Sequence, residues 1–136
     1  MPTASPCDYA IIRVVPAVER GEFINAGLIV FCRPRRFLQA EIALDTERLR
    51  ALAPYADTTL IAAHLASMGT ICRGGQEAGP IGALPLQERF HWLVAPRSTM
   101  IQTSPVHPAL STDPAKLIQQ LMQWFVYIDR SSPPQA

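Results

Sequence analysis

Residues 9–44 read YAIIRVVPAVERGEFINAGLIVFCRPRRFLQAEIAL, and the fold turns on how this stretch is divided. Tyr9 to Val18 is β-branched and apolar on both alternating faces, broken only by Arg13 and Pro16, which predicts a strand covered on both sides. Pro16 places its end near an edge or a bulge. Residues 19–24 are a polar turn, after which Gly27 to Cys32 resumes as a second strand. Arg33-Pro34-Arg35-Arg36 makes a tight connection to Phe37–Leu44, where Gln39 and Glu41 alternate with Leu38, Ala40 and Ile42, so that one face is wet and one buried. Three strands joined by short connectors predict an antiparallel meander, because parallel neighbours need a crossover of a dozen residues or more.

Beyond Leu44 the period changes. Asp45 is suited to cap a short helix that Pro54 stops, and Asp57 to cap a longer one ending at Gly74-Gly75. In the longer helix Leu60, Ile61, His64, Leu65, Met68, Ile71 and Cys72 follow the i, i+3, i+4 rule, giving an inner face that packs on the sheet with His64 half-buried. Gly74 to Pro85 reads as a loop and Pro85 opens a short helix through Phe90. Ser98–Thr103 reads as a fourth strand and Ser104–Thr112 as a loop. Asp113-Pro114 opens a last helix with Leu117, Ile118, Leu121, Met122, Phe125 and Ile128 on its apolar face. The expected class is α+β, an antiparallel sheet of about four strands with helices packed on one face. Residues 1–8 read as a loose lead-in, 9–129 as a single domain and 130–136 as a flexible tail.

Composition narrows the function. A chain of 136 residues, 49% hydrophobic and 17% charged, has material for one core. A formal net charge of +1 excludes a global basic field for nucleic acid or an anionic membrane. Apolar runs fall short of the roughly 18 to 20 residues that cross a bilayer, and Met1 to Ser5 do not form a signal peptide, so a soluble, cytoplasmic protein is expected. Cys7, Cys32 and Cys72 are too widely spaced for a disulfide framework or zinc cluster and are expected to be free thiols, two of them in the core. Among the twelve basic residues only Lys116 is lysine, and it lies between Ala115 and Leu117 rather than in a glycine-rich phosphate loop. No metal-ligand spacing is present, and no cofactor is implied.

Three groups of side chains are candidates for function. Arg13, Arg89 and Arg97, with Ser98, Ser104 and His107, would form an anion or ligand pocket if the fold brought them together, since guanidinium groups and hydroxyls supply convergent donors. The alternative is that Arg97 and Ser98 brace a turn and Arg13 pairs with an acid. Ser104 and His107 are spaced for a nucleophile and base, yet the flanking Pro105 and Pro108 suit a rigid loop equally. Glu19, Glu22, Asn25 and Gly27 crowd one connector, open to acid–base chemistry or to simple buttressing of the turn. Arg33, Arg35, Arg36 and Phe37 form a basic tip suited to a protein partner, to nucleic acid, or to neither. Trp124 and Tyr127 flank the apolar stripe of the last helix and offer further surface for docking.

The combination of E-R-x-E-F-x-N-x-G (Glu19, Arg20, Glu22, Phe23, Asn25, Gly27) with A-P-R-S-T…S-P-V-H (Pro96, Arg97, Ser98, Ser104, Pro105, His107) resembles the uncharacterised bacterial family DUF3037, across about Tyr9 to Phe125. The resemblance implies no reaction. It does imply a small cytoplasmic companion often encoded beside a HipA-like Ser/Thr kinase. The expectation is therefore a non-catalytic binding or regulatory protein with a protein partner, that kinase being the candidate. A phosphate- or nucleotide-binding domain or hydrolase using Arg97-Ser98 and Ser104-His107 is the alternative, and nucleic-acid binding through Arg33–Phe37 is a third reading.

Overall fold

A computed structural model describes residues 3–128. Strand β1 (Ser5–Val14) is the centre of one antiparallel sheet. On one side it pairs with β2 (Ile24–Cys32), which in turn pairs with β3 (Phe37–Ile42), giving the meander that residues 9–44 predict. On the other side β1 pairs with two short strands in succession, β4 (Ile101–Thr103) and β5 (His107–Ser111). The class is α+β with an antiparallel sheet, and it has five strands rather than about four.

Four differences from the sequence expectation have physical causes. Residues 5–8, expected to be a loose lead-in, begin β1, because β5 supplies Ser111 to Ala109 as ladder partners for Ser5 to Cys7. Ser104–Thr112, expected as a loop, contains that strand: prolines 105 and 108 hid it, yet Pro108 is compatible with a strand at the sheet's edge. The fourth strand begins at Ile101 rather than Ser98. Part of the Gly74–Pro85 loop is 3₁₀ helix, Gln76–Ala83, kinked at Gly79. The expected tail, 130–136, lies outside the described residues.

The helices form where their caps predict. Asp45 accepts from the Arg48 N–H to start α1 (Thr46–Leu52), and Asp57 accepts from Leu60 to start α2 (Thr58–Arg73). Pro85 precedes α3 (Leu86–Val94), and Asp113 accepts from Ala115 and Lys116 to start α4 (Pro114–Phe125). The sequence reading puts all helices on one face of the sheet, but they occupy both. Ile12, Val14, Ile29 and Phe31 meet Leu49, Ile61, Leu65, Phe90 and Leu93 from α1, α2 and α3. Leu28, Val30, Cys32 and Cys7 meet Ile118, Leu121 and Met122 from α4 on the opposite face. The alternation along β2, whose residues 26–32 are all buried, requires this two-sided cover.

All three cysteines are free and buried, one more than expected. Burial pushes the Cys72 thiol up to about 12; burial, with the neighbouring Cys32 thiol, does the same for Cys7. Both groups titrate lower once unfolded, near 9. Between those values the native state holds more protons than the unfolded one, so their contribution to stability is complete below pH 9 and is lost as pH rises towards 12. Urea titrations at stepped pH should show stability falling across that window and a shallower fall in Cys72→Ala; equal slopes would contradict the assignment.

Candidate functional site

A β-bulge organises the face that carries α4. Ile12 opposes Gly27 while Arg13 opposes Asn25, so Ala26 is an extra residue in β2. One inserted residue reverses which face the preceding side chains take. Leu28, Val30 and Cys32 point towards α4; without the bulge Asn25 would point away from it. Instead Asn25 Nδ2 donates to the Phe125 carbonyl at the end of α4, at 3.0 Å. Phe23 is thereby placed over Arg13, whose guanidinium carbon lies 4.3 Å from the ring centroid.

From this point a line of aromatic contacts crosses the face. Phe125 stacks on Tyr9 at 6.3 Å between centroids, Tyr9 contacts His107 at 5.4 Å, and Trp124 meets Phe125 edge-on at 6.4 Å. Phe23, Trp124 and Phe125 are 44%, 63% and 37% exposed, a concentration of large apolar surface left uncovered by the described residues. The two motif segments contribute to the same face, Phe23, Asn25 and the bulge from one and His107 from the other, linked through Tyr9 and Phe125.

Ser104 is also on β1's edge, in a different role. β4 and β5 are two halves of one edge strand, interrupted at residues 104–106. At the break the Ser104 N–H donates to Ile11 O, and Ser104 Oγ accepts from Ile11 N, both at 2.8 Å. The hydroxyl thus stands in for a ladder carbonyl, and it donates to Pro105 O. Ser104 is buried, with donor and acceptor both used by the backbone, while His107 is exposed and stacks on Tyr9; no hydrogen bond joins the pair.

The expected convergence of Arg13, Arg89 and Arg97 is not found. Arg13 lies on the α4 face. Arg89 is buried on the other face, donating to Leu84 O, Ile71 O and Cys72 O at the C-terminal end of α2. Arg97 stacks 4.2 Å over the Trp92 ring and donates to the Trp92 carbonyl, and burial draws its titration downward. Arg97 and Ser104 do share the lining of an open groove of about 340 Å³, but the Ser104 hydroxyl is committed to Ile11 and Pro105. Ser98 is exposed on a bend, and His64 is exposed rather than half-buried.

In the motif turn Glu22 pairs with Arg20, and Glu19 is exposed on a 3₁₀ turn closed by Gly21 in the left-handed region. At the basic tip Arg35 donates to Ser5 Oγ and Thr3 O, tying the turn to the start of β1. Arg33 and Arg36 are exposed, Arg36 with a positive φ of 50°, and Phe37 packs partly against the α4 core. Among the described residues no helix is long and apolar enough to cross a membrane, and no group of three or more His, Cys, Asp or Glu is placed to hold a metal ion.

The sequence draws attention to Phe23, Asn25 and His107 through the motifs and to Trp124 through the helix. It does not indicate Tyr9 or Phe125 as site residues, since both read as ordinary core positions. The signal that points to this face is Gly27, which marks the bulge. No curated protein and no solved structure matches the chain. A family model described as a protein of unknown function, DUF3037, matches residues 9–126, and the chain belongs to that family.

Proposed function

We propose that the protein is a non-catalytic binding subunit that recognises a protein partner through the face formed by Tyr9, Phe23, Trp124 and Phe125. The observation that carries this reading is the exposure of three of these aromatic side chains beside the bulge, where large apolar groups lie uncovered next to polar ones. Such a combination of aromatic anchors and arginine is characteristic of the energetic centre of protein interfaces. The basic tip is the weaker docking surface, because Arg35 is already engaged with Ser5 and Thr3. A HipA-like kinase, implied by the family resemblance, is the partner to test first.

Co-expression of the tagged chain with its genomic neighbours, a HipA-like kinase first, followed by size-exclusion chromatography with light scattering, tests this. Co-elution at fixed stoichiometry is expected. Trp124→Ala should weaken the complex about tenfold or more, as loss of an interface anchor does, while leaving thermal stability nearly unchanged because the side chain is 63% exposed. A chain that elutes alone with every neighbouring product, or a complex indifferent to Trp124→Ala, would argue against it.

A further inference from the structure

Two polar groups at the centre of this face lack partners. Arg13 Nε and Asn25 Oδ1 are buried with no hydrogen bond, and they belong to side chains directly opposed across β1 and β2. The Arg13 guanidinium has no ion pair or hydrogen bond among the described residues; its one assigned contact is with the Phe23 ring. Asn25 is held by its amide nitrogen on Phe125 O, so its oxygen cannot turn away to find a donor without breaking that bond. On the other side of Arg13, Gln102 is its register partner in β4; its Nε2 donates to Thr99 O and it makes no hydrogen bond to Arg13. Arg13 Nη1 and Nη2, equally without partners among the described residues, are not among the buried atoms, so the outer edge of the guanidinium stays open to a ligand.

We infer that Arg13 receives an acidic segment of a partner protein, an Asp or Glu carboxylate seated on its outer guanidinium nitrogens. The inference rests on the docking reading above and specifies its occupant. Charge complementarity selects the carboxylate, because an unpaired guanidinium offers two parallel donors to a planar anion. The exposed rings of Phe23 and Phe125 beside it select a peptide: a free small anion would leave them uncovered, whereas a peptide brings apolar neighbours along with its acidic side chain. Phe23 and Phe125 flank the pair and would cover apolar neighbours of the acidic residue, excluding water from the charged contact.

The test uses two fluorescein-labelled octapeptide pools, random except for a central Glu in one and a central Gln in the other, titrated with the full chain and read by anisotropy. The Glu pool is expected to bind about tenfold more tightly, an advantage that weakens with added salt. Arg13→Gln should abolish the preference with an unchanged melting curve, and Arg13→Lys should keep part of it, having charge without the fork. Equal binding of the two pools, no binding of either, or a preference that survives Arg13→Gln overturns the inference. So does displacement of the Glu pool by an equal concentration of inorganic phosphate, which would indicate a simple anion site. A concentration-dependent dimer broken by Arg13→Gln also overturns it, assigning the face to a second copy. The docking reading fails separately, on the Trp124→Ala result with the kinase, and stands if that result holds while the pools bind equally.

Discussion

Replacing Arg89 with methionine is expected to lower the unfolding free energy by about 3 kcal/mol, the loss associated with leaving the Cys72 and Leu84 carbonyls unpaired. The last carbonyls of a helix have no partner within it. Gly74 N–H reaches Thr70 O and Ile71 O, and Arg89 supplies donors to Ile71 O and Cys72 O at 3.0 and 2.7 Å. Its Nε then reaches Leu84 O just before α3, so one side chain joins the end of α2 to the start of α3 across the intervening 3₁₀ segment. A positive charge at a helix C-terminus adds a favourable interaction with the helix dipole. Methionine preserves much of the packing of the stem and removes every donor. Urea unfolding followed by circular dichroism measures the loss, with Arg89→Lys expected between the two. A change below about 1 kcal/mol, the size of one ordinary hydrogen bond, would mean that water replaces the guanidinium. Because Arg89 lies across the sheet from Arg13, the folded fraction of Arg89→Met should retain its preference for the acidic peptide pool.

Gly27→Ala is expected to cost about 3 kcal/mol, at the upper end for forcing atoms into a packed interior. An added Cβ would lie 2.4 Å from the Glu41 carbonyl oxygen, a backbone atom that cannot rotate aside, and 3.0 Å from Ile42 Cδ1. β2 and β3 would have to separate where Gly27 pairs with Ile42 and Ala43 N–H binds Ala26 O at 2.8 Å. The consequence extends to the binding face. Gly27 abuts the extra residue Ala26, and the bulge is what turns Asn25 and Phe23 towards α4. Gly27→Ala should therefore lower the urea midpoint and also erode discrimination between the Glu and Gln pools in whatever fraction folds. A fully stable variant would show that the strands part without cost.

The meander was legible because Tyr9–Val18, Gly27–Cys32 and Phe37–Leu44 each carry strand periodicity and the connectors between them are short. The helix starts were legible because Asp45, Asp57 and Asp113 cap through bonds that span two or three residues. Strand β5 was not legible. Its sequence, His107-Pro108-Ala109-Leu110-Ser111, lacks alternation and contains proline, and it extends only because β1 offers an unpaired edge. Ser104 misled for a related reason: its spacing from His107 suggests chemistry, whereas its hydroxyl completes a ladder with Ile11, 93 residues earlier. The three arginines of the supposed pocket were grouped by residue type, and β1 and its neighbours separate Arg13 from Arg89.

By itself, then, the sequence determined the α+β class, the antiparallel meander, the helix starts set by aspartate caps, and the two motif segments. These rest on local physics: side-chain alternation, capping and turn length act within a few residues. Tertiary structure alone decided that α4 covers the opposite face from α2 and α3, that β5 closes the edge of β1, and that Tyr9, Arg13, Asn25, His107 and Phe125 share one surface. Those outcomes depend on pairing between residues more than a hundred positions apart, and on a single inserted residue at Ala26 that reverses the facing of Asn25. Periodicity read along one strand carries no record of such an insertion, because the bulge is defined only by what the neighbouring strand places opposite it.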